Sequence, residues 1–394
     1  MKHNNIVISG IGTVSPLGKS LEEVSAALAS PPASTEVQSW EFHTFDSPVS
    51  CRKITDFDPV AILGKKGLRN KDDATKLLLS AAELGFKEYL ESSSEESRAG
   101  LCVGTAFGSV QSIGDFLSDS IVNGVNSVNP QLFANTVINA PTGNANIRYL
   151  ARNLSTTIST GFNSGIDALI YAYDHLQQGY LDQIVTGGLD EISYYSLLGM
   201  QRSGVLSPTG SVRPFAADSD GTITGEGCAL FMLENEASAL DRGAEIYASI
   251  TGCANGFDPA CSGKVLAEVI TNACTMAGIA ATDIDFVASG GSGSPAGDRH
   301  EAAGIAAIFG ATTPVTAYKS FTGECFGASG ALAVICALAD IRQDRISGIP
   351  AERYETIAPI GMVFGTVKKE STNVLLTSAS CDGNCSALIL RKIN

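Results

Sequence analysis

The chain has 394 residues, is 44% hydrophobic and carries 41 glycines with a net charge of −15. That length supplies one large or two medium cores of a turn-rich α/β protein, and 26 basic against 41 acidic residues exclude nucleic acid and anionic membrane surfaces as partners. Ten cysteines without framework spacing point to a reducing cytoplasm, no leader has the layout of a signal peptide, and the longest apolar run, Ala331 to Ala339, reads as a buried helix rather than a membrane span.

In chain order, Ile6 to Ser9 is a buried strand entering Gly10-Ile11-Gly12-Thr13-Val14-Ser15. Ser15 stands where a dinucleotide fingerprint needs its third glycine, so no nucleotide is expected. Residues 31 to 60 read as a Pro- and Ser-rich surface connection, Leu68 to Tyr89 as a helix, and Ser92 to Glu96 as a solvated loop. Leu101 to Gly108 is a strand and turn. It leads into a helix on which Val110, Ile113 and Leu117 share one face. Asn129 to Pro141 is irregular, with a helix expected over Asn144 to Leu150.

The chain is organised around Thr156 to Glu191. Thr156 to Thr160 is a short β-branched strand, Gly161 and Gly165 bracket a sharp turn with Phe162 at its tip, and Ile166, Leu169, Ile170, Tyr173 and Leu176 recur at helical spacing. Ile184-Val185 then reads as a parallel strand ending in a tight turn at Gly187-Gly188. A residue at such an elbow has a free backbone N–H and a positive helix end beside it, the field that activates a thiol or steadies an oxyanion. Phe162 can do neither. From Arg213 to Glu234 the acids and glycines read as turn chemistry, and from residue 248 the strand–helix order repeats. The expected division is 1–247 and 248–394, two halves of an internal duplication.

These runs resemble the β-ketoacyl synthases. Thr160, Gly161, Ser164 and Gly165 fit the family's nucleophile elbow, and Arg213-Pro214-Phe215, Asp218, Asp220-Gly221 and Gly225-Glu226-Gly227 fit the synthases' later sequence almost residue for residue. The resemblance implies a thiolase-like α/β fold of duplicated αβαβα layers with mixed sheets. It also implies that Phe162 takes the place of the cysteine nucleophile, Gly290 that of the first histidine, and Glu324 that of the second. Lys319, Asp298 and Glu301 are retained, and Cys381-Asp382-Gly383 occupies the gating turn. Condensation with loss of CO2 needs a thiolate and imidazole donors, and Phe, Gly and Glu supply none of them.

Family members that keep the scaffold and lose the cysteine are chain length factors of type II polyketide systems. The resemblance therefore implies a non-catalytic subunit paired with an active ketosynthase, meeting the acyl carrier protein mainly through that partner and shaping the product tunnel. Val110, Ile113, Leu117, Leu132 and Phe133 would line the tunnel or interface. Modest arginine and alanine content points toward aryl polyene or related conjugated products. A reading from another class is an acyltransferase or thioesterase with its nucleophile displaced to Cys325 or Cys381. No cofactor is expected, and neither the CxxxC pair Cys381/Cys385 nor the scattered His3, His43, His175 and His300 has metal-site spacing.

Overall fold

The computed structural model describes residues 5–30, 33–40, 43–92, 99–149 and 153–393. Its spine is an 11-stranded mixed sheet. From one end the order is Leu154–Ile158, Ala99–Gly104, Gln183–Asp190, Gly227–Asn235 and Ile6–Val14, all from the first half. Ala248–Phe257, Asn384–Arg391, Asn373–Ala379, Phe286–Ser289, Pro314–Ala317 and Gly361–Met362 continue it from the second. A short antiparallel register, Ile6 opposite Ile250 through Ile8 opposite Ala248, joins the halves.

Two helices lie at the centre of the molecule, Ser164–Gln177 and Ser329–Arg342, and each is preceded by a one-turn 3-10 helix, Gly161–Asn163 and Phe326–Ala328. Twelve of the 14 residues of Ser329–Arg342 are buried, which is why its sequence is apolar all round rather than striped. The N-terminal ends of the two helices approach so closely that a Cβ on Gly165 would sit 2.4 Å from the Gly327 carbonyl oxygen. Leu169, Phe231, Phe286, Leu332 and Leu388 join the two halves in one hydrophobic core.

Four expectations need correction, one of them the helix read from Leu68, which begins at Asp73. Residues 31 to 60 are not simply a connection, because Thr35–Trp40 and His43–Arg52 form an antiparallel pair, and Cys51 and Arg52 then pair with Thr224 and Gly225. The strand after the elbow helix does not stop at Gly187-Gly188 but runs to Asp190, parallel to Ala99–Gly104 on one side and antiparallel to Gly227–Asn235 on the other. The helix expected from Asn144 begins at Ala140. Ser93 to Glu96 lie outside the described residues.

Candidate functional site

The elbow forms because Gly161 takes a left-handed conformation (φ 74°) between the edge strand and the helix Ser164–Gln177. Asp382 packs on its open side, 2.7 Å from where a Cβ would stand. The turn aims Phe162 at two other rings, Phe107 at 6.3 Å and Phe326 at 5.4 Å between centroids, which themselves meet edge-on at 4.8 Å. Phe326 is fully buried with φ 51°, a conformation costly for a bulky residue. It is held by its own N–H, which donates to Glu324 Oε1 at 2.9 Å.

Asp190 fastens this arrangement from below. Its carboxylate accepts from Thr105 Oγ1 (2.7 Å), Ala106 N (2.8 Å), Phe107 N (3.0 Å) and Gly327 N (2.7 Å), tying the Phe107 turn to the one-turn helix Phe326–Ala328. Burial pushes its pKa up to about 6 against those four donors. The sequence reading missed Phe107, Phe326 and Asp190. An acid directly after a buried Gly-Gly strand was the available signal for the last.

Phe162, Gly290 and Glu324 come together around one cavity of about 230 Å3, together with Asp298, Lys319 and Cys381. Met200 and Val205 complete its apolar side. Lys319 Nζ donates to Glu324 Oε2 at 2.7 Å, and the other carboxylate oxygen accepts from Phe326 N and Ser329 Oγ. Burial pulls the Lys319 ammonium down, but Glu324, Glu301 and Asp298 more than offset this and raise it overall.

Behind the cavity, Glu301 accepts from Gly290 N (2.8 Å) and Thr377 Oγ1 (2.6 Å), and burial pushes it up to about 7. Asp298 takes three backbone N–H groups, from Phe215, Ser292 and Gly293, and is pushed up to about 6 by burial. A small space of about 10 Å3 lies beneath Gly290, bounded by Lys319, Ser329 and Thr377, near the size of one water.

Two family models match the sequence: "Beta-ketoacyl synthase, N-terminal domain" over residues 3–239 and "Beta-ketoacyl synthase, C-terminal domain" over residues 244–350. The chain belongs to the β-ketoacyl synthase family. This ketosynthase-family chain is 26% identical over 362 residues to a 3-oxoacyl-[acyl-carrier-protein] synthase 2 of Coxiella burnetii, covering 87% of each chain. It is similar to the ishigamide ketosynthase/chain length factor at a TM-score of 0.92 and 26% identity, covering 100% of both chains. The fold also matches a chain of a ketosynthase in complex with its chain length factor from Xenorhabdus doucetiae, at a TM-score of 0.85 and 21% identity, covering 99% and 98% of the two chains.

The displaced-nucleophile reading finds little support in this ketosynthase fold. Cys325 is fully buried, its Sγ faces the carbonyls of Thr322, Glu226 and Gly323, and burial pushes its thiol well up. It does not line the cavity. Cys381 does, on the turn between Asn373–Ala379 and Asn384–Arg391. Its thiol is raised too, by partial burial and then by the Asp382 carboxylate, the reverse of what a nucleophile needs. His300 is buried and satisfied, with Nδ1 3.1 Å from Ser380 O and Nε2 3.4 Å from Cys385 Sγ. Among the described residues no cluster of His, Cys, Asp and Glu could hold a metal ion, and no helix is long and apolar enough to cross a membrane.

Val110, Ile113, Leu117, Leu132 and Phe133 do not line the cavity. They lie on the helix Val110–Asn123, which has no buried residue in this single chain, and on the 3-10 turn Pro130–Asn135. Leu117 is 55% exposed, Phe133 62% and the neighbouring Ile121 83%.

The raised carboxylates give a first testable consequence. In the native state Asp190, Asp298 and Glu301 hold protons to about 6, 6 and 7, above ordinary values of 3.8, 3.8 and 4.5. The native state therefore binds more protons than the unfolded chain across that window. Stability from these groups is complete at low pH and falls as pH rises from about 4 to 7. Glu301→Gln keeps an oxygen to accept from Gly290 and Thr377 but cannot ionise. Urea midpoints measured from pH 5 to 8 should fall less steeply for this variant than for the natural chain, and parallel curves would refute the assignment.

Proposed function

We propose that this chain is the catalytically silent half of a heterodimer with an intact ketosynthase, and that it sets product length. The observation that carries the reading is the cavity at the elbow. Decarboxylative condensation needs a thiolate and two hydrogen-bond donors there. The cavity instead offers the Phe162 ring, the bare Gly290 and a carboxylate already paired with Lys319. Similarity to the ishigamide ketosynthase/chain length factor supports the pairing.

The exposed apolar face supports it from another direction. Leu117, Ile121, Val122, Val125, Leu132 and Phe133 are all exposed in the single chain, a patch of the kind that marks an interaction site. A stable pairing there is expected to bury roughly 2,000 Å2 or more. The acyl carrier protein, usually acidic, would be repelled by a chain of net charge −15 and would dock on the partner. Modest arginine content is the compositional support for a conjugated, aryl-polyene-type product.

The test is product length from the reconstituted pair. Ile113→Ala and Leu117→Ala should give longer chains and Ile113→Phe shorter ones, at similar turnover. Leu117 is more than half exposed, so its loss should change the stability of the isolated chain by no more than about 0.5 kcal/mol. Unchanged product lengths from a complex that still forms would remove these residues from the tunnel. A well-behaved monomer that no intact ketosynthase binds would remove the pairing itself.

A further inference from the structure

The exposed apolar face carries a feature that bears on which partner it accepts. From Thr105 to Ile147 the sequence contains no Lys, Arg or Glu, and its only charges are Asp115 and Asp119. They stand one turn apart on the helix Val110–Asn123 and both line a groove with Phe116, Asn129 and Leu132. Asp115 accepts from Gln111 Nε2 at 2.9 Å and Asp119 from Asn123 Nδ2 at 2.7 Å, and among the described residues neither forms an ion pair. At the border Arg148 is paired with Glu83, Lys71 donates to the neutral Asn144, and Arg69 is exposed outside the groove's lining. Arg152 lies outside the described residues.

The neighbouring edge strand Leu154–Ile158 closes the sheet with no further strand beside it among the described residues, and it is half-buried or exposed along its length. Two chains meeting through this edge and this face would be related by a two-fold axis. In a contact between identical copies each patch meets itself. Within residues 105–147 of the opposing copy, Asp115 and Asp119 would meet only apolar groups, amides, hydroxyls or the same two carboxylates. Four carboxylates would lose water with no counter-ion from this segment of either copy, which opposes pairing.

The geometry points to Asp115 and Asp119 as the charge key that rejects a second copy of this chain and accepts a non-identical ketosynthase-type chain placing a Lys or Arg in the groove. This rests on the heterodimer reading above and adds the chemistry of the partner's surface. Two acids on an otherwise uncharged patch weaken self-pairing by withholding a counter-charge, and the same acids reward the one chain that brings it.

Sedimentation velocity on the full chain tests this without knowing the partner's residues. Four samples suffice: the natural chain, Asp115→Asn/Asp119→Asn, Asp115→Lys/Asp119→Lys, and an equimolar mixture of the natural chain with the Lys variant. Both sites are on the surface, and circular dichroism confirms that each variant is folded. The Asn variant should form a discrete homodimer on the order of 10- to 100-fold tighter than the natural chain. The Lys variant alone should pair no better than the natural chain, whereas the mixture should form a dimer tighter than either component alone. Added salt should strengthen the natural chain's self-pairing and weaken the mixed dimer.

Equal self-association in all four samples overturns the charge key. Co-expression with an intact ketosynthase from the same host separates it from the parent reading. If that ketosynthase retains the natural chain but not the Lys variant, both stand. If it retains the two equally, only the charge key falls, and if it retains neither, the pairing falls.

Discussion

Incubated with malonyl carrier protein, the purified chain should release no CO2 above the buffer control, and its intact mass should be unchanged after exposure to an acyl thioester. Phe162 at the elbow has no nucleophilic atom. The one thiol lining the cavity, Cys381, is held above its ordinary pKa by partial burial and by Asp382. Phe162→Cys would place a thiol at the N-terminal end of the helix Ser164–Gln177, where the helix field favours the thiolate. That variant should alkylate readily with iodoacetamide and still fail to condense. A positioned proton donor contributes about 10²- to 10⁴-fold and each oxyanion donor about 10²- to 10³-fold. The cavity lacks both imidazoles, and Glu324, already paired with Lys319, offers an acceptor rather than a donor in place of the second. Turnover of Phe162→Cys should therefore lie on the order of 10⁴-fold or more below an intact synthase.

Adding the first imidazole back meets a packing limit. A Cβ on Gly290 would stand 3.1 Å from Glu301 Oε2, 3.2 Å from Ser378 Cα and 3.3 Å from Thr377 O, two of them backbone atoms. Gly290→His should cost about 1–3 kcal/mol of stability, read from the urea midpoint. A stoichiometric acyl adduct on the natural chain would overturn the silent-subunit reading outright.

How much of this was legible in the sequence depended on how far apart the interacting residues lie. The elbow was readable because Gly161, Phe162 and the helical face Ile166 to Leu176 are contiguous, and the local pattern is the structure. The cavity positions Gly290, Lys319 and Glu324 each sit in a short Gly-rich run, so a family resemblance could place them. The aromatic cage and the Asp190 fastening were not readable. Asp190 bonds residues 83 to 137 positions away, and Phe107 meets Phe326 across the two halves, contacts that no window of sequence contains. The strand His43–Arg52 was hidden by Ser and Pro, and it pairs in part with Thr224–Gly225, far along the chain. Val110, Ile113 and Leu117 show a third limit. A core face and an interface face have the same 3.6-residue period, and only the absence of buried residues on that helix separates them.

Breaking the ion pair in the cavity should produce the largest stability loss of any single change considered for this chain. Lys319 and Glu324 are 12% and 4% exposed and meet at 2.7 Å. Lys319→Met leaves the carboxylate buried without its cation, a loss of about 3–5 kcal/mol for a fully enclosed pair, and the exposure of Lys319 places the expectation near 3 kcal/mol. Glu324 has a second duty, since its other oxygen receives Phe326 N and Ser329 Oγ and so holds Phe326 at φ 51°. Glu324→Leu removes that support as well and should be costly even when Lys319→Met is already present, unlike a pair whose only role is mutual neutralisation.

Glu324→Gln separates the two duties, because its amide oxygen still accepts from Phe326 and Ser329 while the charge is gone. Lys319→Met/Glu324→Gln should therefore be more stable than Lys319→Met alone, having lost the uncompensated charge but kept the turn. Lys319→Met/Glu324→Leu should be less stable than Lys319→Met/Glu324→Gln. Urea midpoints of the three single and two double variants decide between these roles. If the effects of the two positions simply add, the carboxylate is not held by the lysine; if Gln and Leu at 324 are equally tolerated, Phe326 is kept in its strained conformation by the packing of Phe107 and Phe162.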